Sequence, residues 1–307
     1  MHKIDIHHHL CPPAYVKELE GKTSIFPILR DWTPERSIED MDRAEVDTAI
    51  VSITTPGLWF GDDAAACRLA RICNEYGATL MARYPRRFGF FAALPLPDVT
   101  GSLREIEYAL DVLRADGICL FTSYGTKYLG EPEFRPVLEE LNRRRALIYT
   151  HPTISPCCVN LVPVVSEAII EYGTDTTRTI ASLLFSGAAA RCRDARFIFS
   201  HAGGSMPSLF ARFQQQARND SRRAKGPPDV LQDLARFFYD TAQSCHPAPM
   251  AALRQIVDVS QILFGTDFPW GKADEHAARL ADCHFSEAEL AAILYGNAAT
   301  ILPRLKS

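Results

Sequence analysis

The stretch Ile4-Asp5-Ile6-His7-His8-His9 decides the fold, because it has the pattern of a buried strand that ends in three histidines. Side chains alternate between the two faces of a strand, so His7 and His9 point to one face and His8 points to the other. By the same alternation we expect Asp5 to share the face of His7, where it could hold a loop. The end of this strand therefore presents two imidazoles to a common ligand.

Three further candidate residues end apolar runs elsewhere in the chain. His151 ends Ile148-Tyr149-Thr150-His151, His201 ends Phe199-Ser200-His201, and Asp267 ends Phe264-Gly265-Thr266-Asp267. A His-X-His pair alone is a weak signal, but imidazoles and a carboxylate at four strand ends suit a zinc or manganese ion. Together the candidates predict one site for a divalent metal ion.

The order of strand-like and helix-like segments predicts the architecture. Apolar runs of strand length are Lys3 to His9, Asp47 to Ile53, Phe88 to Leu94, Gly117 to Phe121, Ala146 to His151, Arg196 to His201, Phe237 to Thr241 and Gln261 to Asp267. Between them, apolar residues recur at spacings of three and four, which is typical of helices. This alternation over 307 residues predicts an α/β fold, a single (β/α)8 TIM barrel that spans residues 1–307 as one domain. Active sites of such barrels lie at the carboxyl ends of the strands, where the candidate ligands fall.

Local signals predict where some helices begin and end. Thr33 before Pro34 has the form of a helix N-cap, and Ser286 with Glu289 has the form of a capping box. Gly296 is predicted to end a helix.

Three connections between these elements are long. Those from Gly21 to Trp32 and from Pro152 to about Thr177 follow strands, so we expect them to cover the catalytic face and to act as lid and specificity elements. The basic stretch from Asn219 to Pro228 is predicted to be a solvated loop.

Composition favours a small molecule as the partner. A net charge of −4 and a pI near 6.1 give no reason to expect nucleic acid or an anionic membrane. No apolar run is long enough to span a bilayer, and the first strand begins too close to Met1 to leave room for a signal peptide. The nine cysteines include no Cys-X-X-Cys pair, and Cys157 and Cys158 are adjacent. We therefore expect a cytoplasmic protein with reduced thiols.

In combination the motifs resemble the decarboxylase branch of the metal-dependent amidohydrolases, typified by aminocarboxymuconate-semialdehyde decarboxylase. The resemblance covers nearly the whole chain through Ile4-Asp5-Ile6-His7-His8-His9, Thr150-His151-Pro152, Ser200-His201-Ala202-Gly203-Gly204, Gly265-Thr266-Asp267 and Gly296-Asn297-Ala298. His7-His8-His9 followed by Pro12-Pro13-Ala14-Tyr15, together with Ser52 to Gly57, is most similar to the 6-methylsalicylate decarboxylase subgroup.

The resemblance implies a role for each candidate. The implied ligands of one divalent ion, zinc or manganese, are His7, His9, His151 and Asp267. His201 would stand beside the ion as a catalytic group. Arg212 matches an arginine that reaches a substrate carboxylate across a dimer interface, which implies at least a homodimer. An arginine before the Met-Asp pair of the typifying enzyme is replaced by Ser37 here, so aminocarboxymuconate semialdehyde is not the expected substrate.

These residue types suit the non-oxidative decarboxylation of an ortho-hydroxybenzoate such as 6-methylsalicylate. The run Gly117 to Phe121 offers no lysine to bridge a second metal, which favours a mononuclear centre. Protonation of the ring carbon that bears the carboxylate provides the electron sink, and Asp267 is the preferred donor. His201 would orient the substrate oxygen or exchange the proton, and Arg212 would pair with a carboxylate or phenolate. The aromatic residues Trp59, Phe60, Phe185 and Trp270 could hold the ring, or serve ordinary packing.

Two other functions use the same residues. In a mononuclear hydrolase of a lactone or amide, a metal-bound hydroxide would be the nucleophile, with His201 or Asp267 as the base. A barrel that keeps its metal only for stability is the third reading, although structural sites are usually closed. Asp240 and Tyr239 could support the ligands from behind, or make structural hydrogen bonds only.

Overall fold

The inner layer of the fold is a parallel sheet. The computed structural model describes residues 2–221 and 230–305, and in this part of the chain eight parallel strands form one sheet. They are β1 (Ile4–His9), β2 (Thr48–Ser52), β3 (Phe88–Ala93), β4 (Gly117–Phe121), β5 (Leu147–His151), β6 (Arg196–Phe199), β7 (Phe238–Asp240) and β8 (Ile262–Leu263). Each strand pairs with the next in sequence order. A short antiparallel hairpin, Ser123–Tyr124 with Lys127–Tyr128, follows β4.

The sheet closes on itself where the last strand meets the first. The Ile6 N–H donates to the Phe264 carbonyl at 3.0 Å, and the His9 N–H donates to the Phe268 carbonyl at 2.9 Å. The predicted (β/α)8 barrel is therefore confirmed. Of the predicted strand from Gln261 to Asp267, only β8 is regular strand, and Asp267 itself has left extended geometry, with a φ of +63°.

Helices cover the outside of the barrel. They are α1 (Pro13–Leu19), α2 (Pro27–Arg30), α3 (Pro34–Arg43), α4 (Asp63–Arg83), α5 (Val99–Glu107), α6 (Arg135–Arg143), α7 (Glu167–Phe185), α8 (Ala188–Arg191), α9 (Met206–Ser221), α10 (Val230–Leu234), α11 (Pro247–Arg254), α12 (Ala273–Ala281), α13 (Glu287–Ala291) and α14 (Asn297–Ile301). Within the described residues, none of the helices combines the length and apolar character needed to cross a bilayer.

A bulge in β1 sets the direction of its side chains. Asp5 pairs with Ala49 and His8 pairs with Val51, so Ile6 and His7 together stand opposite the single residue between those partners. Ile6 packs in the apolar cluster inside the barrel, and His7 follows it on the same side.

The expectation that Asp5 shares the face of His7 was therefore wrong, because regular alternation fails at the bulge. The Asp5 carboxylate instead accepts from His8 Nδ1 at 2.9 Å and from the Thr266 hydroxyl at 2.6 Å. It ties β1 to the chain after β8. His8 points away from His7 and His9, as predicted, and its Nε2 lies 2.8 Å from Ser37 Oγ.

The local signals are confirmed at two of three places. Thr33 accepts from the Arg36 N–H and caps α3, and Ser286 forms the predicted capping box at α13. Gly296 does not end a helix, because a π-helical turn, Ala292–Gly296, runs directly into α14. Asn297 holds this continuation in place by donating to the backbone carbonyls of Val259 and Ile262 at 2.8 Å each.

Both long connections reach the carboxyl ends of the strands, but the second is shorter than predicted. α7 begins at Glu167, well before Thr177. Its first turns could not be recognised from the sequence, because Ile169 is 75% exposed and does not belong to a regularly spaced set of buried apolar residues. Of the basic stretch from Asn219 to Pro228, the start belongs to α9, and residues 222–229 lie outside the described part of the chain.

A glycine pair lets α7 lie against the turn that carries His201. The Ser205 N–H donates to the Gly173 carbonyl at 3.2 Å, and a Cβ on Gly204 would overlap that carbonyl. Gly204 also has φ +66° and ψ −132°, a conformation that is essentially restricted to glycine.

We expect Gly204→Ala to destabilise the protein more than Gly125→Ala. Gly125 has φ +63°, but an added methyl group there would meet nothing within 4 Å, so it reports the backbone cost alone, about 1 to 2 kcal/mol. The overlap at Gly204 should add about 1 to 3 kcal/mol. Urea unfolding of both variants measures the difference, and equal free energies of unfolding would contradict the close approach.

Candidate active site and metal centre

Four buried side chains bring one donor atom each to a common point. They are His7, His9, His151 and Asp267, and their donor atoms all lie within 4.8 Å of one another. Asp267 Oδ1 lies 3.0 Å from His9 Nε2 and 3.2 Å from His7 Nε2. The Nε2 atoms of His7 and His9 are 3.2 Å apart, as the predicted shared face requires. The structure thus brings together the four predicted ligands.

The other nitrogen of each imidazole is held by a hydrogen bond that fixes the ring. His7 Nδ1 donates to Asp240 Oδ2 at 2.8 Å. His9 Nδ1 donates to the Ser52 carbonyl at 3.3 Å, and His151 Nδ1 donates to the Pro152 carbonyl at 2.8 Å. A proton on Nδ1 leaves the Nε2 lone pair free to bind a cation. This pattern is the outer support that metal-binding histidines usually have.

The electrostatics of the cluster also suit a cation. Burial lowers the pKa of His9 and lowers that of His151 well below its usual value, so both rings are neutral. Burial also acts to lower the pKa of His7, but the charges of Asp240 and Asp267 outweigh it and raise the pKa to about 10. In the free site His7 is therefore protonated between two carboxylates, and a divalent ion would take the place of its Nε2 proton, with His9 and His151 already neutral. The residues present therefore fit the metal that the sequence implies.

Asp267 is ionised in this environment. Burial would raise its pKa, but His7 and the hydrogen bonds of the cluster hold that pKa well below its usual range. Its Oδ1 faces the ligand imidazoles, whereas its Oδ2 accepts from Gln243 Nε2 at 3.1 Å. The two oxygens of this carboxylate therefore have different surroundings and can have different roles.

His201 stands beside the ligands. Its Nε2 lies 3.7 Å from Asp267 Oδ2, and within the described chain this buried atom has no hydrogen-bond partner. Buried polar atoms usually have a partner, so an unpaired nitrogen at a cavity is poised for a ligand. The backbone of both His201 and Asp267 has a positive φ, +55° and +63°, which is rare for such residues and is common at functional sites.

Asp240 supports two parts of the site. Besides holding the His7 ring, its Oδ1 accepts from the His201 N–H at 2.9 Å. The choice left open by the sequence is thus settled in favour of a supporting role. Tyr239 makes a structural contact instead, because its hydroxyl donates to the Leu234 carbonyl at 3.1 Å.

A cavity of about 570 Å³ opens above the cluster. His151, His201 and Asp267 form its polar floor, and its apolar walls include Phe26, Ile169, Ile170 and Trp270. Phe26 and the two isoleucines come from the long connections that were expected to cover this face. Among the described residues that line the cavity, none is lysine or arginine. A negative ligand would therefore find its positive charge at the metal site or outside this chain.

The polar residues of the cavity that sequence reasoning missed include Gln243 and Tyr172. Gln243 lies just beyond β7, and Tyr172 projects from α7 with its hydroxyl 3.0 Å from Thr55 Oγ1 and its ring beside His151. Gln243 could have been found by inspecting the residues that follow each strand. Tyr172 carries no comparable signal, because the first turns of α7 resemble a loop.

The proposed substrate contacts differ in position. Trp270 lines the cavity, with its ring 5.5 Å from that of His9. Trp59 is 40% exposed and donates to Asp63, and it does not line the cavity. Phe185 packs on Phe213 at the far end of α7. The structure does not bring Trp59 or Phe185 to the site.

Arg212 also lies outside the cavity of its own chain. It is exposed on α9, the helix that follows the cavity residues Gly204 and Ser205. Its action across a dimer interface stays a prediction.

Known proteins are similar to this chain over nearly its whole length. A 6-methylsalicylic acid decarboxylase of Aspergillus aculeatus, acuB, is 38% identical over 322 residues, which cover 99% of this chain and 97% of the relative. A crystal structure of an amidohydrolase II superposes with a TM-score of 0.90 at 26% identity, covering 98% of this chain and 99% of the other. A crystal structure of a dihydroxybenzoic acid decarboxylase of Polaromonas sp. JS666, with bound manganese and 2-nitroresorcinol, has a TM-score of 0.84 at 22% identity. The superposition covers 98% of this chain and 96% of the other.

The family resemblance inferred from the motifs is confirmed by these similarities. The family model described as amidohydrolase, Amidohydro_2, matches residues 4–304. That range contains every strand of the barrel and all four residues of the metal-binding cluster. By this match and by the identity to acuB, the chain belongs to the amidohydrolase family.

Proposed function

We propose that this protein is a metal-dependent, non-oxidative decarboxylase of an ortho-hydroxybenzoate-type aromatic acid such as 6-methylsalicylate. The observation that carries the proposal is the carboxylate of Asp267, which has one oxygen among the ligand imidazoles and the other beside His201 and the cavity. Such a group can deliver a proton to a substrate held at the metal site. The name and full-length coverage of acuB support the same reaction.

The cavity suits a single aromatic ring with a small substituent. Its volume of about 570 Å³ lies within the range of small-molecule sites. Trp270 and Ile170 offer apolar surface to the ring, while Gln243 and His201 offer polar atoms near the floor. We propose Trp270 as the ring contact among the aromatic residues considered from the sequence.

The site would hold one divalent ion through His7, His9, His151 and Asp267. When bound, zinc or manganese would neutralise the negative charge of the substrate. The manganese in the Polaromonas enzyme supports manganese as a candidate. A single ion is favoured because β4, Gly-Ile-Cys-Leu-Phe, offers no lysine as a bridge to a second one.

The charge of Asp267 decides where the transferred proton originates. Because Asp267 is ionised in the free site, it must first accept a proton, and the ortho-hydroxyl of the substrate, whose acidity a bound divalent ion would increase, can supply it. Asp267 Oδ2 then gives that proton to the ring carbon that bears the carboxylate. The electrons of the breaking C–C bond return to the ring as carbon dioxide leaves, and the phenolate is reprotonated from solvent.

His201 would hold the substrate oxygen during this transfer. Its Nε2 is buried, lies beside Asp267 Oδ2 and is anchored through its backbone by Asp240. A donor fixed at this position can stabilise the oxygen as its charge grows. Gln243 keeps Oδ2 on the cavity side by donating to it.

Arg212 is proposed to act from the second protomer of a homodimer. The cavity has no lysine or arginine among its described lining, so a carboxylate or phenolate would gain from a guanidinium supplied from outside. Apolar residues are exposed around the same face, including Val164, which is 92% exposed, and Leu209, one turn before Arg212 on α9. Exposed apolar surface of this kind favours contact with another protein chain.

His9→Gln should remove the metal, whereas His8→Gln should retain it. The two residues are neighbours in β1 and equally buried, but only His9 Nε2 faces the ligand cluster. His8→Gln should lower thermal stability, because His8 binds Asp5 and Ser37. Metal per protomer, measured by mass spectrometry after gel filtration, should remain near one equivalent in His8→Gln alone. Metal loss in both variants would show that the strand faces are wrongly assigned.

Turnover in heavy water separates decarboxylation from hydrolysis. Protein loaded with zinc or with manganese is incubated with 6-methylsalicylate and related ortho-hydroxybenzoates, and the ring is followed by NMR. We expect loss of the carboxyl group and deuterium at that ring carbon. A metal-loaded protein that leaves every such acid unchanged but opens a lactone would favour the mononuclear hydrolase instead.

Mixed dimers test the position of Arg212. Asp267→Asn and Arg212→Ala homodimers should each be impaired, by loss of the proton donor and of the carboxylate partner. If Arg212 acts across a two-fold interface, co-expressed protomers should recover about a quarter of wild-type activity, because half of the dimers then contain one complete site. The absence of recovery in purified mixed dimers would assign Arg212 to its own chain or to no catalytic role.

A further inference from the structure

Two adjacent cysteines lie in the connection between β5 and α7. Cys157 and Cys158 belong to a 3-10 turn, Pro156–Cys158, and their Sγ atoms are 3.3 Å apart. The turn lies between the candidate ligand His151 and Ser166, which lines the cavity. The decarboxylase chemistry proposed above uses neither thiol.

Exposure separates Cys157 from the other thiols. All nine cysteines lie within the described residues, and among them only Cys157 is exposed, while its neighbour Cys158 is buried. A reagent in solution therefore reaches Cys157 first and finds a second sulfur directly behind it. Accessibility and a nearby resolving thiol are the two features that redox-active cysteines share.

The surroundings of the pair favour reaction at Cys157. Ser155 Oγ lies 3.4 Å from its Sγ, and hydrogen bonds from Ser155 and Cys158 lower the pKa of the Cys157 thiol. By contrast, burial raises the pKa of Cys11 and of Cys119 to about 12, so these remain protonated. Because the thiolate is the reactive form, oxidation should select Cys157.

Arg178 links the pair to the cavity wall. Its Nη1 donates to Cys158 Sγ at 3.3 Å, and it projects from α7, whose residues Tyr172 and Thr174 line the cavity. A change at Cys158 is therefore transmitted through one hydrogen bond to the helix that forms part of the substrate site.

We propose that Cys157 and Cys158 form an oxidation-sensitive dithiol, which a hydroperoxide converts into a vicinal disulfide and a thiol reductant restores. The Cys157 thiolate attacks the hydroperoxide and takes one oxygen as a sulfenic acid, and the alcohol or water leaves. Cys158 then attacks that sulfur, the S–S bond forms, and water leaves. Two thiols are oxidised and one hydroperoxide is reduced, so atoms and electrons balance.

Formation of the bond should disturb the cavity. The sulfurs must move from 3.3 Å to about 2.05 Å apart, which requires the turn to rearrange and weakens the hydrogen bond from Arg178. Because this change reaches the helix that carries Tyr172 and Thr174, we expect KM for the aromatic acid to rise at least threefold with little change in kcat. This kinetic consequence rests on the proposed decarboxylase function, whereas the dithiol itself does not.

The experiment uses the reduced, metal-loaded full chain. Thiol titration with DTNB should reveal one fast thiol, and hydrogen peroxide should then produce a peptide that contains both cysteines and has lost two hydrogens by mass spectrometry. Dithiothreitol should reverse the loss and restore KM. Cys157→Ser should abolish the fast thiol and the bond, while Cys67→Ser, which alters the half-buried cysteine elsewhere in the chain, should retain both.

The outcomes separate the parts of the proposal. Absence of a fast thiol in the assembled protein, or oxidation that reaches other cysteines as readily as Cys157, overturns the dithiol. A bond that forms and leaves KM unchanged overturns its link to the cavity. If the protein turns over no aromatic acid, the thiol count and the peptide mass still decide whether the dithiol exists, so failure of the proposed function is recognised separately.

Discussion

The buried carboxylate of Asp240 is the interaction on which the site depends. It is fully buried, and it accepts hydrogen bonds from the His7 ring at 2.8 Å, the His201 backbone at 2.9 Å and the Ala242 backbone at 3.0 Å. A buried charge is tolerated only when such partners surround it. Because these partners come from β1, the turn after β6 and the chain after β7, the residue joins three separate segments. The proposed metal ligand His7 and the proposed catalytic residue His201 are therefore held by one group.

The parts of the fold that the sequence predicts well are those governed by local rules. The positions of His9 and His151 at the ends of β1 and β5 could be predicted, because the alternation and the length of an apolar strand are visible in a short stretch of sequence. The caps at Thr33 and Ser286 are equally local. The family resemblance adds the roles of these residues, which spacing alone does not supply.

The parts that escaped prediction depend on contacts between distant segments. The conformation of Asp267 is set by its N–H bond to the His7 carbonyl at 2.8 Å, which no short window of sequence contains. The early start of α7 was hidden because its first apolar residues face outward rather than toward the core. Sequence reasoning therefore fails where the chain lacks the regular spacing of buried apolar residues that marks strands and helices. Both places, Asp267 and the start of α7, border the cavity.

The bulge in β1 shifts the alternation of side chains between the two faces of the strand. Before it, alternate residues fill the barrel interior with isoleucine, and after it, alternate residues bring the imidazoles of His7 and His9 to the candidate metal-binding cluster. Without the extra residue, His8 would inherit the inward position and the histidines on either side would face the helices. A single insertion or deletion near Ile6 would thus move the proposed metal-binding side chains to the face that packs against the helices. The composition of the strand would remain almost unchanged.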